Sequence, residues 1–212
     1  MSKRAIFLGS FDPPHIGHVN CINSIINSGI LEYLNIEKIH IIPCLQNPNK
    51  NYSIDFWHRY KMCRIEFSAF SDWCVIDDIE RLLFKTDCQP TYTYQLINYF
   101  KSGHDDIINN NFWWIITIET IKELMDGKWK NSKKLLYNNN FIVVGESEEE
   151  WNNLLNLYCL DKPIFAKFVQ LNKMDNIHST QIRQMIKENK DCYPFIKRET
   201  QGYIIEHNLY KN

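Results

Sequence analysis

Six short apolar runs punctuate the chain, and several of the stretches between them repeat apolar residues at helical spacing. Ala5-Ile6-Phe7-Leu8 has the length, and the bounding glycine, of a strand buried on both faces. Lys38-Ile39-His40-Ile41-Ile42, Trp73-Cys74-Val75-Ile76, Phe112-Trp113-Trp114-Ile115-Ile116-Thr117-Ile118, Phe141-Ile142-Val143-Val144 and the run from Pro163 to Val169 read the same way. From Val19 to Asn27 the apolar positions recur with a helical period. A second helix is expected from about Ser53, a suitable cap, with Ile54, Trp57, Tyr60, Met62, Ile65 and Phe67 along one stripe. A third is expected from the Pro90–Thr93 turn to about Phe100. Strands alternating with helices predict an α/β fold, an open parallel sheet with helices on both faces. In such sheets ligands collect at the carboxyl ends of the strands.

Composition narrows the partners. The 212 residues carry 24 basic and 25 acidic side chains, a formal net charge of -1, which argues against broad nucleic-acid binding. A hydrophobic fraction of 44 % fills a sizeable core, and the expected organisation is one domain over 1–212. Its C-terminal helical part starts at about residue 178. The seven cysteines are scattered and never spaced as Cys-x-x-Cys, so neither a disulfide framework nor a zinc site is expected. They read as small buried residues of a reducing compartment. The first apolar run is too short for a signal peptide and no later one reaches membrane-spanning length, so the expectation is a soluble, cytoplasmic protein without a membrane partner. The Asn109–Asn111, Asn138–Asn140 and Glu148–Glu150 clusters read as solvated segments, and no internal repeat is visible.

The chemistry concentrates after the first strand, in Gly9-Ser10-Phe11-Asp12-Pro13-Pro14-His15-Ile16-Gly17-His18. Strand, tight turn and helix start follow one another there. Gly9 allows close backbone approach by a ligand, and Pro13-Pro14 stiffens the turn. The amides and dipole of a helix N-terminus favour an anion. His15 and His18, three apart, project to one side of the helix start. Two imidazoles beside an anion-binding turn, with no carboxylate or thiol at ligand spacing, point to phosphate chemistry, with no metal held by the protein's own side chains.

This decapeptide resembles the phosphate-binding HxGH loop of the nucleotidyltransferase superfamily, in the form found in bacterial-type nicotinate (or nicotinamide) mononucleotide adenylyltransferases. The resemblance implies a Rossmann-like sheet of nucleotidyltransferase type and an enzyme of NAD biosynthesis. Its substrates would be ATP, accompanied by Mg2+, and nicotinate mononucleotide. His15 and His18 would be catalytic, and Gly9, Ser10 and Phe11 would line the ATP site. Further along, Ile177-His178-Ser179-Thr180-Gln181-Ile182-Arg183 resembles the family's Ile-Ser-Ser-Thr-x-Ile-Arg, with His178 for the first Ser. Ser179 is expected to cap the following helix. With Thr180 and catalytic Arg183 it would form a second anion site, for the β- and γ-phosphates.

Other positions match less closely. Pro48-Asn49-Lys50 is similar to a Pro-Pro-His-Lys-like stretch, so Lys50 either reaches the triphosphate or stays solvated. Arg59 matches an Arg common at this point of the family and is expected to be structural. Pro90-Thr91-Tyr92-Thr93 resembles Pro-Ser-Tyr-Thr, whose backbone amides would receive the nicotinate carboxylate. Trp129 falls where the family stacks a Trp on the pyridine ring, although a core or surface Trp fits its sequence equally well. Two departures stand out. Thr117-Ile118-Glu119 replaces a Gly-x-Asp, with Glu119 expected to keep a ribose-facing role, and the Arg expected near Gly145 is absent. The tail from Gly202 to Tyr210 also resembles the family's ending.

Rival readings remain. A pantetheine-phosphate adenylyltransferase shares the Gly-Ser-Phe-Asp-Pro opening, but usually has Thr at the position of His15 and lacks the later motifs. A class I aminoacyl-tRNA synthetase fragment shares His-Ile-Gly-His, but would bring a Lys-Met-Ser-Lys loop. A non-catalytic dinucleotide sensor on the same fold has less need of paired imidazoles. The preference for nicotinate over nicotinamide is a lean, and a homo-oligomer is left open.

Overall fold

The protein is described by a computed structural model covering residues 3–46, 52–83, 92–101, 112–158, 163–171 and 177–211. Six strands form one parallel sheet in the order β3-β2-β1-β4-β5-β6. The strands are β1 (Lys3–Gly9), β2 (Ile36–Pro43), β3 (Cys74–Ile76), β4 (Phe112–Thr117), β5 (Asn140–Gly145) and β6 (Phe165–Gln170). Each coincides with an apolar run of the sequence, shifted by a residue or two at its ends. The strand order reverses between β1 and β4, where Ile6 pairs with Trp114 and Phe7 with Ile115. Such a reversal is a topological switch point, the usual ligand position in an open α/β sheet.

The helices are α1 (Ile16–Asn27), α2 (Ile30–Leu34), α3 (Phe56–Glu66), α4 (Ile79–Leu83), α5 (Thr93–Lys101), α6 (Ile118–Met125), α7 (Ser132–Tyr137), α8 (Glu148–Tyr158), α9 (Ser179–Lys187) and α10 (Arg198–Glu206). Helix α3 starts later than the sequence suggests. Its cap is Asp55, whose carboxylate accepts the His58 N–H at 3.1 Å, and the Ser53 N–H is committed elsewhere.

The chain divides into two compact units, each made of several segments. The first comprises residues 1–7, 23–40 and 92–172. Its core is β4 and β5, whose side chains from Trp113 to Ile116 and from Phe141 to Val144 are all buried, with Trp114 packed on Phe141 at 5.6 Å between ring centres. Gly145 ends β5 where a side chain would run into Ile118. The second unit comprises residues 8–22, 41–91 and 173–212. There Met62, Ile177, Ile182, Ile186, Cys192, Ile196, Ile204, Leu209 and Tyr210 form one apolar cluster. No described helix is long and apolar enough to cross a membrane. The five cysteines among the described residues (Cys21, Cys44, Cys63, Cys74 and Cys192) are all free thiols.

Candidate active site

In the second unit the turn after β1 is built inward from Gly9. A Cβ on Gly9 would lie 2.7 Å from Cζ of Phe11, so the space left by the missing side chain holds the Phe11 ring rather than an approaching ligand. Phe11 takes a left-handed backbone conformation (φ 48) and is 1 % exposed. Its ring meets His18 edge-on at 4.9 Å and Phe67 at 6.0 Å. Phe11 therefore props His18 from below. The Ser10 carbonyl accepts Nη1 of the fully buried Arg59 at 2.7 Å, and Nη2 of the same guanidinium reaches the Leu45 carbonyl at 3.3 Å. Glu80 completes the support by accepting the Leu45 N–H at 2.8 Å. Burial pushes the Glu80 carboxyl up to about 7, with that amide and the Arg59 charge opposing.

The two imidazoles are packed together, ring centres 3.9 Å apart. The His15 N–H donates to Nδ1 of His18 and the Gly17 N–H to Nδ1 of His15, each at 3.2 Å. An Nδ1 that accepts cannot carry the proton, so both neutral rings hold it on Nε2. The donor of each neutral ring is then Nε2–H. His15 is 7 % exposed, and burial holds it down at about 4, with the charge of His178 adding a smaller push in the same direction. It is a neutral donor at physiological pH.

The second motif is bonded directly to the first. Arg183 Nη1 donates to the Asp12 carbonyl at 2.6 Å and Nη2 to the Thr180 hydroxyl at 3.1 Å. The Ser179 hydroxyl donates to the Pro13 carbonyl at 2.9 Å. Ser179 is thus a tether and not the expected cap. The cap position of α9 is His178, whose N–H is accepted by the Gln181 side chain at 2.7 Å. The Asp12 carboxylate, 4 % exposed, accepts the Tyr210 hydroxyl and the Ser53 N–H, both at 3.0 Å. The structure thus brings together Gly9, Ser10, Phe11, His15, His18, Ser179, Thr180 and Arg183. Sequence reading missed Asp12, Tyr210 and Glu80 as participants, and the sequence carries no local signal linking them.

Of the residues assigned to the pyridine nucleotide, Tyr92, Thr93, Glu119 and Trp129 stand in the first unit. The Tyr92 N–H donates to the Gln95 side chain at 2.9 Å, closing the start of α5 at Thr93. Lys130 lies over the Tyr92 ring at 4.2 Å. Half-buried Trp129 meets Trp114 edge-on at 6.0 Å and donates Nε1–H to Glu123 at 3.1 Å. Thr117, which replaces the expected glycine, caps α6 by accepting the Thr120 N–H at 3.4 Å. Glu119 is exposed in the first turn of that helix. Lys50, Pro90 and Thr91 lie outside the described residues.

Comparison with known proteins places the chain. Over 99 % of its length it is 26 % identical to a Caldicellulosiruptor saccharolyticus protein named as a probable nicotinate-nucleotide adenylyltransferase, with 99 % of that protein covered. It is 28 % identical to a Flavobacterium johnsoniae protein of the same name, again with 99 % of each chain covered. A solved structure of Plasmodium falciparum nicotinic acid mononucleotide adenylyltransferase complexed with NaAD superposes with a TM-score of 0.75 at 22 % identity, covering 99 % of this chain and 98 % of that one, a likeness of fold. The family model described as cytidylyltransferase-like matches residues 6–185, from β1 into α9. Both phosphate motifs fall inside that match, and the chain belongs to the cytidylyltransferase-like family.

Proposed function

We propose that this protein transfers the adenylyl group of ATP to nicotinate mononucleotide, giving nicotinate adenine dinucleotide and pyrophosphate in NAD biosynthesis. The observation that carries the reading is the tautomer lock: His15 and His18 both have their Nδ1 atoms occupied by backbone N–H groups, which leaves Nε2 as the position of the proton. Phosphate oxygens are the acceptors such donors suit. The acceptor's 5′-phosphate has its second pKa near ~6, so it attacks the α-phosphorus already largely dianionic and no general base is required. One P–O bond forms, the α–β bridging P–O bond breaks, and pyrophosphate leaves with the electron pair. Catalysis then rests on positioning and charge stabilisation. His18, braced by Phe11, contacts the α-phosphate oxygens as charge develops. His15 contacts the phosphates beside it. Arg183, Ser179 and Thr180 receive the departing pyrophosphate, with Gly9 and Ser10 as the backbone floor and Lys50 an additional cation. Magnesium arrives with ATP as part of the substrate.

On the acceptor side, Trp129 stacks on the electron-poor pyridine ring. The turn from Pro90 through Thr91 and Tyr92 to Thr93 takes the carboxylate, and Glu119 faces the ribose. The Tyr92 N–H is held by Gln95, so binding the carboxylate there exchanges one acceptor for a charged one. The names of the curated relatives support this acceptor. Free thiols throughout the described residues support a reducing, cytoplasmic setting.

The test is pyrophosphate release from MgATP with nicotinate mononucleotide, nicotinamide mononucleotide or phosphopantetheine as acceptor. Fastest release with the nicotinate nucleotide is expected. Release with phosphopantetheine alone would overturn the acceptor assignment. Tight dinucleotide binding with no release would make the protein a binder.

A further inference from the structure

Arg183, assigned above to the leaving pyrophosphate, is held in an unusual way. Its terminal nitrogens bond to neutral oxygens, the Asp12 carbonyl and the Thr180 hydroxyl. The nearest carboxylate oxygen, Oδ2 of Asp12, stands off at 3.9 Å from Nη1, beyond hydrogen-bond range. A buried carboxylate this close to a guanidinium would ordinarily take it in a direct, charge-assisted pair. Here both its oxygens already have donors. Ser53 N–H supplies Oδ2, and the hydroxyl of Tyr210 supplies Oδ1 from 198 residues away.

We propose that Tyr210 is a positioning residue of the phosphate site: by hydrogen-bonding Asp12, it keeps the Arg183 guanidinium out of direct hydrogen bonding with that carboxylate and its donors available to the β- and γ-phosphates of ATP. The rest of its setting fits. Tyr210 is anchored in the apolar cluster of the second unit, and its backbone is left-handed (φ 64), so the ring is placed by the fold. Burial, then the neighbouring Asp12 charge, raises its phenol above the ordinary tyrosine value, so the hydroxyl stays a donor at every pH the enzyme would meet. Without that hydroxyl, Oδ1 would be a buried acceptor lacking a donor, and Arg183, already 3.9 Å from Oδ2, is the cation that stands against this carboxylate, with Arg59 the other cation acting on Tyr210. The guanidinium would close on the carboxylate, and its donors would be spent inside the protein. The inference rests on the adenylyl-transfer reading only for the identity of the triphosphate.

Equilibrium binding of a non-hydrolysable ATP analogue with Mg2+, measured by calorimetry, tests this without turnover, so failure of the proposed reaction would leave the result interpretable. Tyr210→Phe should weaken binding roughly ten-fold, the scale of one charge-assisted contact. Adding Asp12→Asn to that variant should restore binding to within about two-fold of wild type, because a neutral amide does not capture the guanidinium. Asp12→Asn alone, an independent variant that keeps Tyr210, should bind at least as tightly as wild type. Its amide oxygen can accept from Ser53 while its NH2 donates to the Tyr210 oxygen. Unchanged binding by Tyr210→Phe, a double variant that stays weak, or ten-fold weaker binding by Asp12→Asn alone would each overturn the proposal. A merely structural Tyr210 predicts no rescue.

Discussion

In the unit that carries Gly9–His18, polar groups hold one another. His15 and His18 each accept a backbone N–H, Arg59 clamps Ser10 and Leu45, and Asp12 gathers Tyr210 and Ser53, with Arg183 bonded to its carbonyl. In the unit that carries Trp129, ring contacts stand beside the hydrogen bonds: Trp129 lies against Trp114, Trp114 against Phe141, and Lys130 over Tyr92. The difference matches what each would have to recognise. Charge that develops during a reaction is stabilised by fixed dipoles that need not reorient. A flat aromatic ligand needs a face and some tolerance of position. Substitutions at the paired imidazoles should therefore act on rate, and at Trp129 on the affinity of one substrate.

The sharpest way to break that contrast is His18→Ala. Loss of a donor aimed at developing charge should lower kcat about 100- to 1000-fold with little change in either KM, read by pyrophosphate release. An effect confined to KM would place His18 in ground-state binding. Gly9→Ala asks whether the support beneath matters as much as the donor. The new methyl must displace the Phe11 ring, so the variant should lose roughly 1–3 kcal/mol of stability by denaturant titration, and kcat should fall with His18 in place. Retained kcat would show that Phe11 does not brace the imidazole.

Acid stability probes His15. Its folded value of about 4 lies below the ordinary 6.5, so between those values the unfolded chain binds a proton that the folded one refuses. Stability is therefore fully present above 6.5 and falls as pH is lowered towards 4, by about 2 kcal/mol between pH 7 and pH 5. Glu80 has the opposite sign: raised from 4.5 to about 7, it contributes stability that is lost as pH rises through that window. The His15 share is isolated by subtracting the same pH series for His15→Asn, and equal slopes in the two proteins would refute it. Smallest in effect is Trp129→Ala. It should raise KM for nicotinate mononucleotide about ten-fold and leave KM for ATP alone, on the scale of ring stacking. A rise for both substrates would dissolve the contrast between the two units.

The six strands were legible because each is a run of apolar side chains, and burying such runs is the largest single drive in folding. The paired imidazoles were legible because a three-residue spacing at a helix start fixes their side by geometry alone. What could not be read was which polar group satisfies which. Ser53 and Ser179 both looked like helix caps from their neighbours, yet the amide of one and the hydroxyl of the other are engaged by the loop at Asp12 and Pro13. Local sequence fixes what a side chain can donate or accept, and the chain path decides to whom. Gly9 shows the same limit: its missing side chain makes room, but the occupant is a ring two residues on.

The separation of 198 residues between Asp12 and Tyr210 also sets a timetable for biosynthesis. At about 5–20 residues per second, the phosphate loop leaves the ribosome roughly 10 to 40 seconds before the hydroxyl that completes its buried carboxylate. Until Tyr210 emerges, Asp12 Oδ1 lacks the donor it has in the folded protein.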